Sequence, residues 1–213
     1  MGVEDDQGAV SPASLYTLPM WDERFSEPGY AYGTEPNGFL ASVTNHIPQG
    51  KVLCLAEGEG RNAVFLASLG YEVTAVDTST VGLAKAESLA NERGVSIETV
   101  NADLAEYAIG DSTWQGIVSI FCHQAPIVRA ALHERCLRGL APGGVFVLEG
   151  FTPRQLDLGT GGPKNRELLM ELATIRQELP GLHLEIGREI EREILEGKYH
   201  KGNAAVVQIL ATK

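Results

Sequence analysis

Cysteines, basic residues and long apolar runs are all scarce in this chain. Among its 213 residues there are three cysteines, Cys54, Cys122 and Cys136, and they form no CxxC pair. An odd number of widely spaced cysteines predicts neither a disulfide framework nor a zinc site. We therefore expect no bound metal, and we interpret the cysteines as small buried hydrophobic residues in a reducing compartment.

Two further scarcities bear on location and partners. No apolar run approaches the roughly 20 residues that a membrane-spanning helix needs, and the first residues are acidic, unlike a signal peptide. Lys and Arg number 17 against 28 Asp and Glu, which gives a formal net charge of −11. Such a surface repels phosphate backbones. We predict a cytoplasmic, monomeric protein with a small-molecule partner and with neither nucleic acid nor membrane as a partner.

A glycine turn between a strand pattern and a helix pattern is the strongest signal in the sequence. The apolar run Lys51–Leu55 is followed by Gly58 and Gly60, and the next apolar run, 72–76, ends at Asp77. Glycines let a ligand approach the backbone, and the helix start offers free N–H groups at a positive dipole end. The acid can accept both hydroxyls of a ribose. This order predicts a binding site for a nucleoside-bearing cofactor.

Strand and helix patterns alternate through the middle of the chain. Strands are predicted at 51–55, 72–76, 96–101, 114–121 and 145–151, with helices at 62–69, 80–93 and 126–140 and a turn at 142–144. Alternation at this spacing predicts right-handed βαβ units on a parallel sheet with helices on both faces. The last third differs, with a loop at 152–163, a helix at 165–179, and two alternating runs, 182–195 and 203–212, that predict a hairpin.

The domain organisation follows from these patterns. Residues 1–18 are predicted to be a flexible tail, and residues 19–213 a single domain. Within it, 19–48 holds two short helices, Met20–Phe25 and Phe39–His46, around a lid loop, 49–151 is the cofactor-binding core, and 152–213 supplies the substrate loop, a helix and the hairpin.

Two cofactor classes are compatible with the glycine turn. The spacing Gly58-x-Gly60-x-x-Ala63 with Asp77 also fits the dinucleotide fingerprint, so an NAD(P)-dependent oxidoreductase is the alternative. A non-catalytic cofactor-binding module of the same fold is a third interpretation. The hairpin that ends the sheet argues against NAD. An acid that follows the third strand, Asp103, is placed to accept from an exocyclic adenine amine, with the next amide, that of Leu104, at a ring nitrogen.

Four segments carry a resemblance to a known family. They are Trp21-Asp22-Glu23-Arg24-Phe25, the tyrosine loop from Tyr30 to Leu40, Glu57-Gly58-Glu59-Gly60-Arg61-Asn62, and Thr160-Gly161-Gly162-Pro163-Lys164. Over about residues 20–213 the chain resembles the class I S-adenosylmethionine-dependent methyltransferases. Within that superfamily it most resembles the tellurite-resistance-type and thiopurine-methyltransferase-like small-molecule branch.

This resemblance implies a Rossmann-like seven-stranded α/β sheet with order 3-2-1-4-5-7-6, strand 7 antiparallel and helices on both faces. It also implies S-adenosyl-L-methionine as cofactor and in-line methyl transfer to a small molecule. The residues assigned to the cofactor are Tyr32, Gly33, Asn37, Glu57, Gly58, Gly60, Asn62, Asp77, Thr78, Asp103, Leu104 and Phe121. The chain departs from the family pattern at Cys54, Ala56 and Gly116, where an acid, a glycine and an acid are usual.

Candidate groups for chemistry are few. His123, just after the fourth strand, is the candidate general base, and a loop-capping role is the alternative. Glu57 is the candidate for the methionyl ammonium, with a solvent-facing role equally open. Glu149 either orients a substrate or is a paired structural acid. For His200 we favour packing in the hairpin joint, and for Lys164 and Arg166 a solvated connection over an anionic-substrate contact.

Overall fold

The computed structural model describes residues 19–213, so the tail predicted at residues 1–18 lies outside the described part of the chain. The strands are β1 (Lys51–Leu55), β2 (Glu72–Asp77), β3 (Glu98–Asn101), β4 (Trp114–Ile120), β5 (Leu140–Phe151), β6 (His183–Glu196) and β7 (His200–Thr212). The helices are α1 (Pro19–Phe25), α2 (Gly38–Val43), α3 (Arg61–Ser68), α4 (Thr80–Arg93), α5 (Pro126–Gly139), α6 (Gln155–Leu158) and α7 (Leu172–Glu178).

All seven strands form one sheet in the order β3-β2-β1-β4-β5-β7-β6. The pairings from β3 through β5 are parallel, and β7 runs antiparallel to both β5 and β6. The predicted fold class, strand order and antiparallel seventh strand are therefore confirmed. Because β6 runs in the same direction as β5, its end and the start of β7 lie at the sheet edge where the parallel strands also end.

The sheet is buried on both faces, as its apolar strands predict. Side chains alternate along β1, so Leu53 and Leu55 join one apolar cluster while Val52 and Cys54 join the cluster on the opposite face. Gly116 in β4 faces the second cluster, where an added Cβ would come within 2.7 Å of Ile47. Neighbouring packing thus explains a glycine at a position where the family usually has an acid.

The three cysteines agree with the sequence-based expectation. Cys54, Cys122 and Cys136 are free and buried. Burial raises the pKa of the Cys122 thiol to about 12, which keeps the thiol protonated and unreactive. Within residues 19–213 no cluster of three or more His, Cys, Asp or Glu side chains is arranged to hold a metal ion. The helices of that same part of the chain include none long and apolar enough to cross a membrane.

The structure differs from the sequence-based elements after β5. The helix predicted at 165–179 is divided into a 3-10 turn, Arg166–Leu168, and α7, because Met170 between them returns to the sheet and donates its amide to the Phe151 carbonyl at 2.9 Å. The loop predicted at 152–163 contains the four-residue helix α6. The turn predicted at 142–144 is a bulge near the start of β5, and the hairpin joint is shortened to residues 197–199.

Candidate active site

The glycine turn between β1 and α3 contains three residues with left-handed backbone conformations. Ala56, Gly58 and Gly60 have φ angles of 50°, 60° and 87°. A Cβ on Gly58 would lie 2.9 Å from the Phe25 ring, and one on Gly60 would lie 2.5 Å from the Cβ of Ala86. The sequence predicted that these glycines admit a ligand. The structure shows that they also admit protein neighbours, since α1 and α4 pack directly against the turn.

Asp77, at the end of β2, is held against this turn. Its Oδ2 accepts from the Gly58 amide at 2.8 Å, and its Oδ1 accepts from the Ser79 amide at 2.8 Å. Burial raises the pKa of Asp77, and hydrogen bonds from the Ser79 and Gly58 amides partly oppose that rise. Each carboxylate oxygen has a further lone pair, so the acid retains capacity to accept hydroxyl groups. The structure therefore brings together the two features on which the nucleoside hypothesis depends.

Helix α1 closes one side of the same crevice. The Asp22 carboxylate accepts a hydrogen bond from the Ser79 hydroxyl, and the Phe25 ring also approaches Gly82 at the start of α4. Residues 20–25, whose motif contributed to the family resemblance, thus form a wall of the candidate site.

The strand end predicted to face an adenine lies beside Asp77. The Ala102 amide donates to the Asp77 carbonyl at 3.0 Å, and Asn101 donates to the Thr78 carbonyl at 2.8 Å. Asp103 is exposed and its Oδ1 accepts from the Ala105 amide at 2.8 Å, while Leu104 is buried. The turn after β3 therefore places an exposed carboxylate next to the ribose candidate, and its role at a cofactor stays a prediction.

Glu57 points into the start of α3 rather than to solvent. Its Oε1 accepts from the Asn62 amide at 2.9 Å and from the Ala63 amide at 2.8 Å, which caps the helix. Burial raises the pKa of Glu57 to about 7, although these amides and the Arg61 charge oppose the rise. The solvent-facing alternative is therefore wrong, and binding of an ammonium group by Glu57 stays a prediction.

Aromatic rings from four parts of the chain meet above the sheet edge. Phe121, with a strained φ of 53°, stacks on Phe151 at a centroid distance of 4.6 Å. The His200 ring lies edge-on to Phe121 at 4.7 Å and against Tyr32 at 4.5 Å. Backbone strain at a sheet edge of this kind is characteristic of functional sites. We refer to Tyr32, Phe121, Phe151 and His200 as the aromatic box.

His123 does not have the geometry of a general base. Its Nδ1 lies 2.9 Å from the Leu168 carbonyl, and its Nε2 accepts from the Phe151 amide at 3.3 Å. Burial lowers the pKa of His123 to about 4, so the ring stays neutral. Both nitrogens are committed to the backbone, and neither remains free to take a proton from an acceptor. The loop-capping alternative describes this histidine better than the catalytic prediction does.

His200 has the arrangement that His123 lacks. It is buried, and its Nδ1 lies 3.4 Å from Glu196 Oε2 across the hairpin joint. Burial lowers the pKa of His200 in spite of the Glu196 charge. A carboxylate at one ring nitrogen fixes the tautomer and directs the other nitrogen as an acceptor. The sequence placed His200 at the hairpin joint but favoured a packing role, because the partner Glu196 could not be identified before the joint was located.

A buried polar network lies below the aromatic box and includes two residues expected at the cofactor. Asn37 is fully buried, and its Nδ2 donates to Glu149 Oε1 at 2.8 Å and to Glu196 Oε1 at 3.0 Å. Its backbone amide donates to Asn62 Oδ1 at 2.9 Å. Arg192 also pairs with Glu149. The polar groups of Asn37 are thus engaged within the protein, and Glu149 is the paired structural acid of the two roles considered for it.

The loop around Tyr32 and Gly33 is fastened as a lid. We define the lid as residues 27–37. The Ala31 amide donates to Glu59 Oε2 at 2.7 Å, and the Ala31 carbonyl accepts from the Lys198 amide at 2.8 Å. The Tyr32 hydroxyl accepts from Arg24 at 2.8 Å. The lid therefore bridges the glycine turn and the hairpin joint, with Tyr32 over the site and the Gly33 backbone against the joint.

The cations predicted at an anionic substrate are not gathered at this site. Lys164 and Arg166 are exposed, and Arg166 pairs with Glu171 at 3.3 Å. A cation that sequence reasoning did not single out, Arg61, lies instead at the glycine turn and is buried. Its position directly after Gly60 was the available signal.

Comparison with known proteins agrees with this architecture. Residues 52–144 match the family model described as "Methyltransferase domain". No curated protein sequence matches the chain.

Similar solved structures share the fold at low sequence identity. One, described by the conversion of a disulfide bond into a thioacetal group during echinomycin biosynthesis, has a TM-score of 0.73 at 18% identity and 92% coverage of both chains. A SAM-dependent methyltransferase from Methanosarcina mazei has a TM-score of 0.66 at 19% identity, with coverage of 81% of this chain and 96% of that chain. TehB from Haemophilus influenzae has a TM-score of 0.69 at 17% identity, with coverage of 92% of this chain and 66% of that chain.

These findings define what the chain contains. Residues 52–144 are a methyltransferase domain, and the whole sheet has the Rossmann-like fold of SAM-dependent methyltransferases. They support the predicted superfamily and the predicted cofactor. They leave the narrower small-molecule branch as a proposal.

Proposed function

We propose that this protein is an S-adenosylmethionine-dependent methyltransferase that acts on a small-molecule acceptor. The observation that carries the proposal is the Asp77 carboxylate at 2.8 Å from the Gly58 amide, at the end of β2 and inside a matched methyltransferase domain. In the fold's parallel sheet this is the edge where ligands bind. The residues fit an adenosyl ligand, because a buried acid with spare acceptor capacity lies beside an exposed acid, Asp103, on the neighbouring strand end.

When bound, S-adenosylmethionine supplies an electrophilic methyl group on a sulfonium. The chain's own contribution is mainly positioning, since in-line transfer depends on close and collinear reacting atoms. Asp77 and Asp103 hold the nucleoside end, and the lid residue Tyr32 covers the opposite end. The aromatic box excludes water from the transfer region, and aromatic faces favour a cationic sulfonium.

A proton acceptor is available for acceptors that must be deprotonated. Burial keeps His200 neutral by lowering its pKa, and Glu196 holds its Nδ1. Its Nε2 is then the nitrogen with a free lone pair. We assign His200, rather than His123, as the group that accepts a proton from a protic acceptor such as a thiol. Soft anions that arrive deprotonated need no such step.

The competing interpretations are less well supported. For an NAD(P)-dependent oxidoreductase we expected Tyr32 to donate a proton, but its hydroxyl accepts from Arg24, and burial raises its pKa. Measurement of nicotinamide fluorescence tests this alternative, because enhancement on titration with the protein would favour it. A non-catalytic module would bind the cofactor without turnover.

An acceptor screen with isotopically labelled donor tests the proposal. Candidate acceptors are thiols, thiopurines, selenite and tellurite, which cover the small-molecule branch, and product is scored as released S-adenosylhomocysteine. Titration calorimetry with S-adenosylmethionine and S-adenosylhomocysteine runs in parallel. Micromolar binding with turnover of an acceptor supports the proposal, and absence of heat with both ligands contradicts it. The variant Asp77→Asn serves as the inactive control.

The remaining expectations about context are part of the same proposal. The net charge of −11 supports a small molecule rather than nucleic acid as partner. A monomeric state is tested by light scattering, and the proposed cytoplasmic location by fractionation of cells that express the chain.

A further inference from the structure

Arg61 is a buried cation whose hydrogen-bonding capacity is only partly used. The residue is 7% exposed, and its Nη2 donates to Glu196 Oε2 at 2.8 Å. Its Nη1 is buried and has no hydrogen-bond partner among residues 19–213. An unsatisfied buried donor costs about 1–3 kcal/mol, and more when it is charged. An acceptor placed at this atom would remove that cost.

The position of Arg61 adds a second unfavourable contribution. It is the first residue of α3, directly after Gly60, where the helix dipole presents its positive end. A cation is disfavoured in the first turn of a helix, and an anion is favoured there. An anionic group that accepted from Nη1 would offset both penalties at once, which makes the Arg61 guanidinium and the α3 start jointly complementary to a carboxylate.

The groups around Arg61 are those of the candidate active site. Its charge acts on Glu57 and on the ring groups of Tyr32 and His200. Glu57 caps the helix turn that Arg61 begins, and it is the acid we expect to face a ligand ammonium. An acid and an unsatisfied base thus lie side by side at the glycine turn.

We propose that Arg61 binds the α-carboxylate of the ligand's amino-acid part and, with Glu57, selects adenosyl ligands that carry an amino acid over bare nucleosides. This inference rests on the proposed function, because it presumes an adenosyl ligand between Asp77 and the aromatic box. The guanidinium is suited to the role, since its planar fork can keep Glu196 on one nitrogen and a second carboxylate on the other.

Binding measurements test the proposal without an acceptor. The probes are S-adenosylhomocysteine, its decarboxylated analogue, and 5′-methylthioadenosine, which lacks the amino-acid part. Titration calorimetry compares the wild-type protein with Arg61→Lys, which keeps the charge beside Glu196 but loses the fork, and with Arg61→Gln. We expect S-adenosylhomocysteine affinity to fall about tenfold or more in Arg61→Gln and less in Arg61→Lys. The affinity of 5′-methylthioadenosine should stay close to the wild-type value.

Arg129→Gln is the matched control. Arg129 is equally buried, also has an unpartnered Nη1 within the described residues, and pairs with Glu178 between α5 and α7. Its removal should lower the unfolding temperature without changing the ratio of the two affinities. Thermal unfolding of each variant verifies that it is folded at the temperature of the titration.

The outcomes separate this inference from the function on which it rests. If S-adenosylhomocysteine and 5′-methylthioadenosine lose affinity equally in both folded Arg61 variants, or if neither loses any, the inference is overturned while the methyltransferase proposal stands. If the decarboxylated analogue loses as much as S-adenosylhomocysteine in Arg61→Lys, the carboxylate is not the group recognised. If the wild-type protein binds none of the three probes, the proposed function itself fails.

Discussion

The Asp77 carboxylate and the Gly58 amide are 2.8 Å apart and join the end of β2 to the glycine turn after β1. This bond fixes a buried acid at the point where two adjacent parallel strands end. A second bond, from the Ser79 amide, prevents the carboxylate from turning away. The candidate ribose site is thus held in place by backbone donors that do not depend on any ligand.

Replacement of Asp77 tests this arrangement. We expect Asp77→Asn to weaken S-adenosylhomocysteine binding by about tenfold or more, because a neutral amide accepts hydroxyl groups less strongly and has only one acceptor atom. Calorimetry measures the change. The control is Asp111→Asn, at an exposed acid outside the site, which should bind normally. Equal affinities for the two variants would contradict the assignment of Asp77.

The non-glycine residue in the turn gives a stability prediction. Ala56 has a φ of 50°, a conformation that is unfavourable by roughly 1–2 kcal/mol for a residue with a Cβ. Ala56→Gly should therefore raise the free energy of unfolding by about 0.5–1 kcal/mol. Gly60→Ala should lower it, since the new Cβ would lie 2.5 Å from that of Ala86. Urea denaturation of both variants measures the signs, and a loss of stability in Ala56→Gly would contradict the prediction.

Glu57 predicts a pH dependence of stability. In the folded protein its pKa is about 7, against 4.5 for the ordinary carboxyl, so folding takes up a proton between these values. The contribution of Glu57 to stability therefore falls as the pH rises through this window, by up to about 3 kcal/mol. Glu57→Gln keeps the helix cap and removes the titration. Between about pH 5 and pH 8 we expect the variant to gain about 2 kcal/mol over the wild type.

Chemical denaturation of both proteins at each pH measures the difference between them. Other titrating groups, such as His123 and His200, are common to the two proteins and largely cancel in the comparison. A stability difference that does not change with pH would show that Glu57 is ionised throughout.

The two histidines of the site are predicted to behave differently. His123→Asn removes a side chain that bonds Leu168 and Phe151, so it should destabilise the fold by about 1–3 kcal/mol. His200→Asn should leave S-adenosylhomocysteine binding near normal but lower kcat for a protic acceptor by about a hundredfold or more. Denaturation, calorimetry and turnover of the acceptor found by the screen give the three readouts. Full activity of His200→Asn with a thiol would remove the residue from catalysis.

Much of the fold was predictable because local patterns and sheet topology agree. The apolar strands, the glycine turn and the hairpin each have a short-range cause, and together they lead to the order β3-β2-β1-β4-β5-β7-β6. The division of the predicted helix at 165–179 was not predictable, because it depends on Met170 pairing with Phe151, which is distant in sequence. Tertiary contacts of this kind override local helix propensity.

The site was predictable where a residue's position at a strand end determines its role, as for Asp77 and Gly58. It was less predictable where partners come from separate segments. Asn37 has a polar side chain in the lid, yet Glu149 and Glu196 occupy its amide. The same long-range pairing distinguishes His200 from His123. Neither partner of His123 is a side-chain acid, and no spacing in the sequence records that the Leu168 carbonyl reaches its ring.

The lid is attached at both of its neighbours, by Ala31 to Glu59 at the glycine turn and to Lys198 at the hairpin joint. Segments from the two ends of the described chain therefore have to separate before a molecule enclosed beneath Tyr32 can leave. Nucleoside affinity and residence time consequently depend on different parts of the protein. Substitutions at the joint should change how long a product stays bound while leaving the strand ends that recognise it intact.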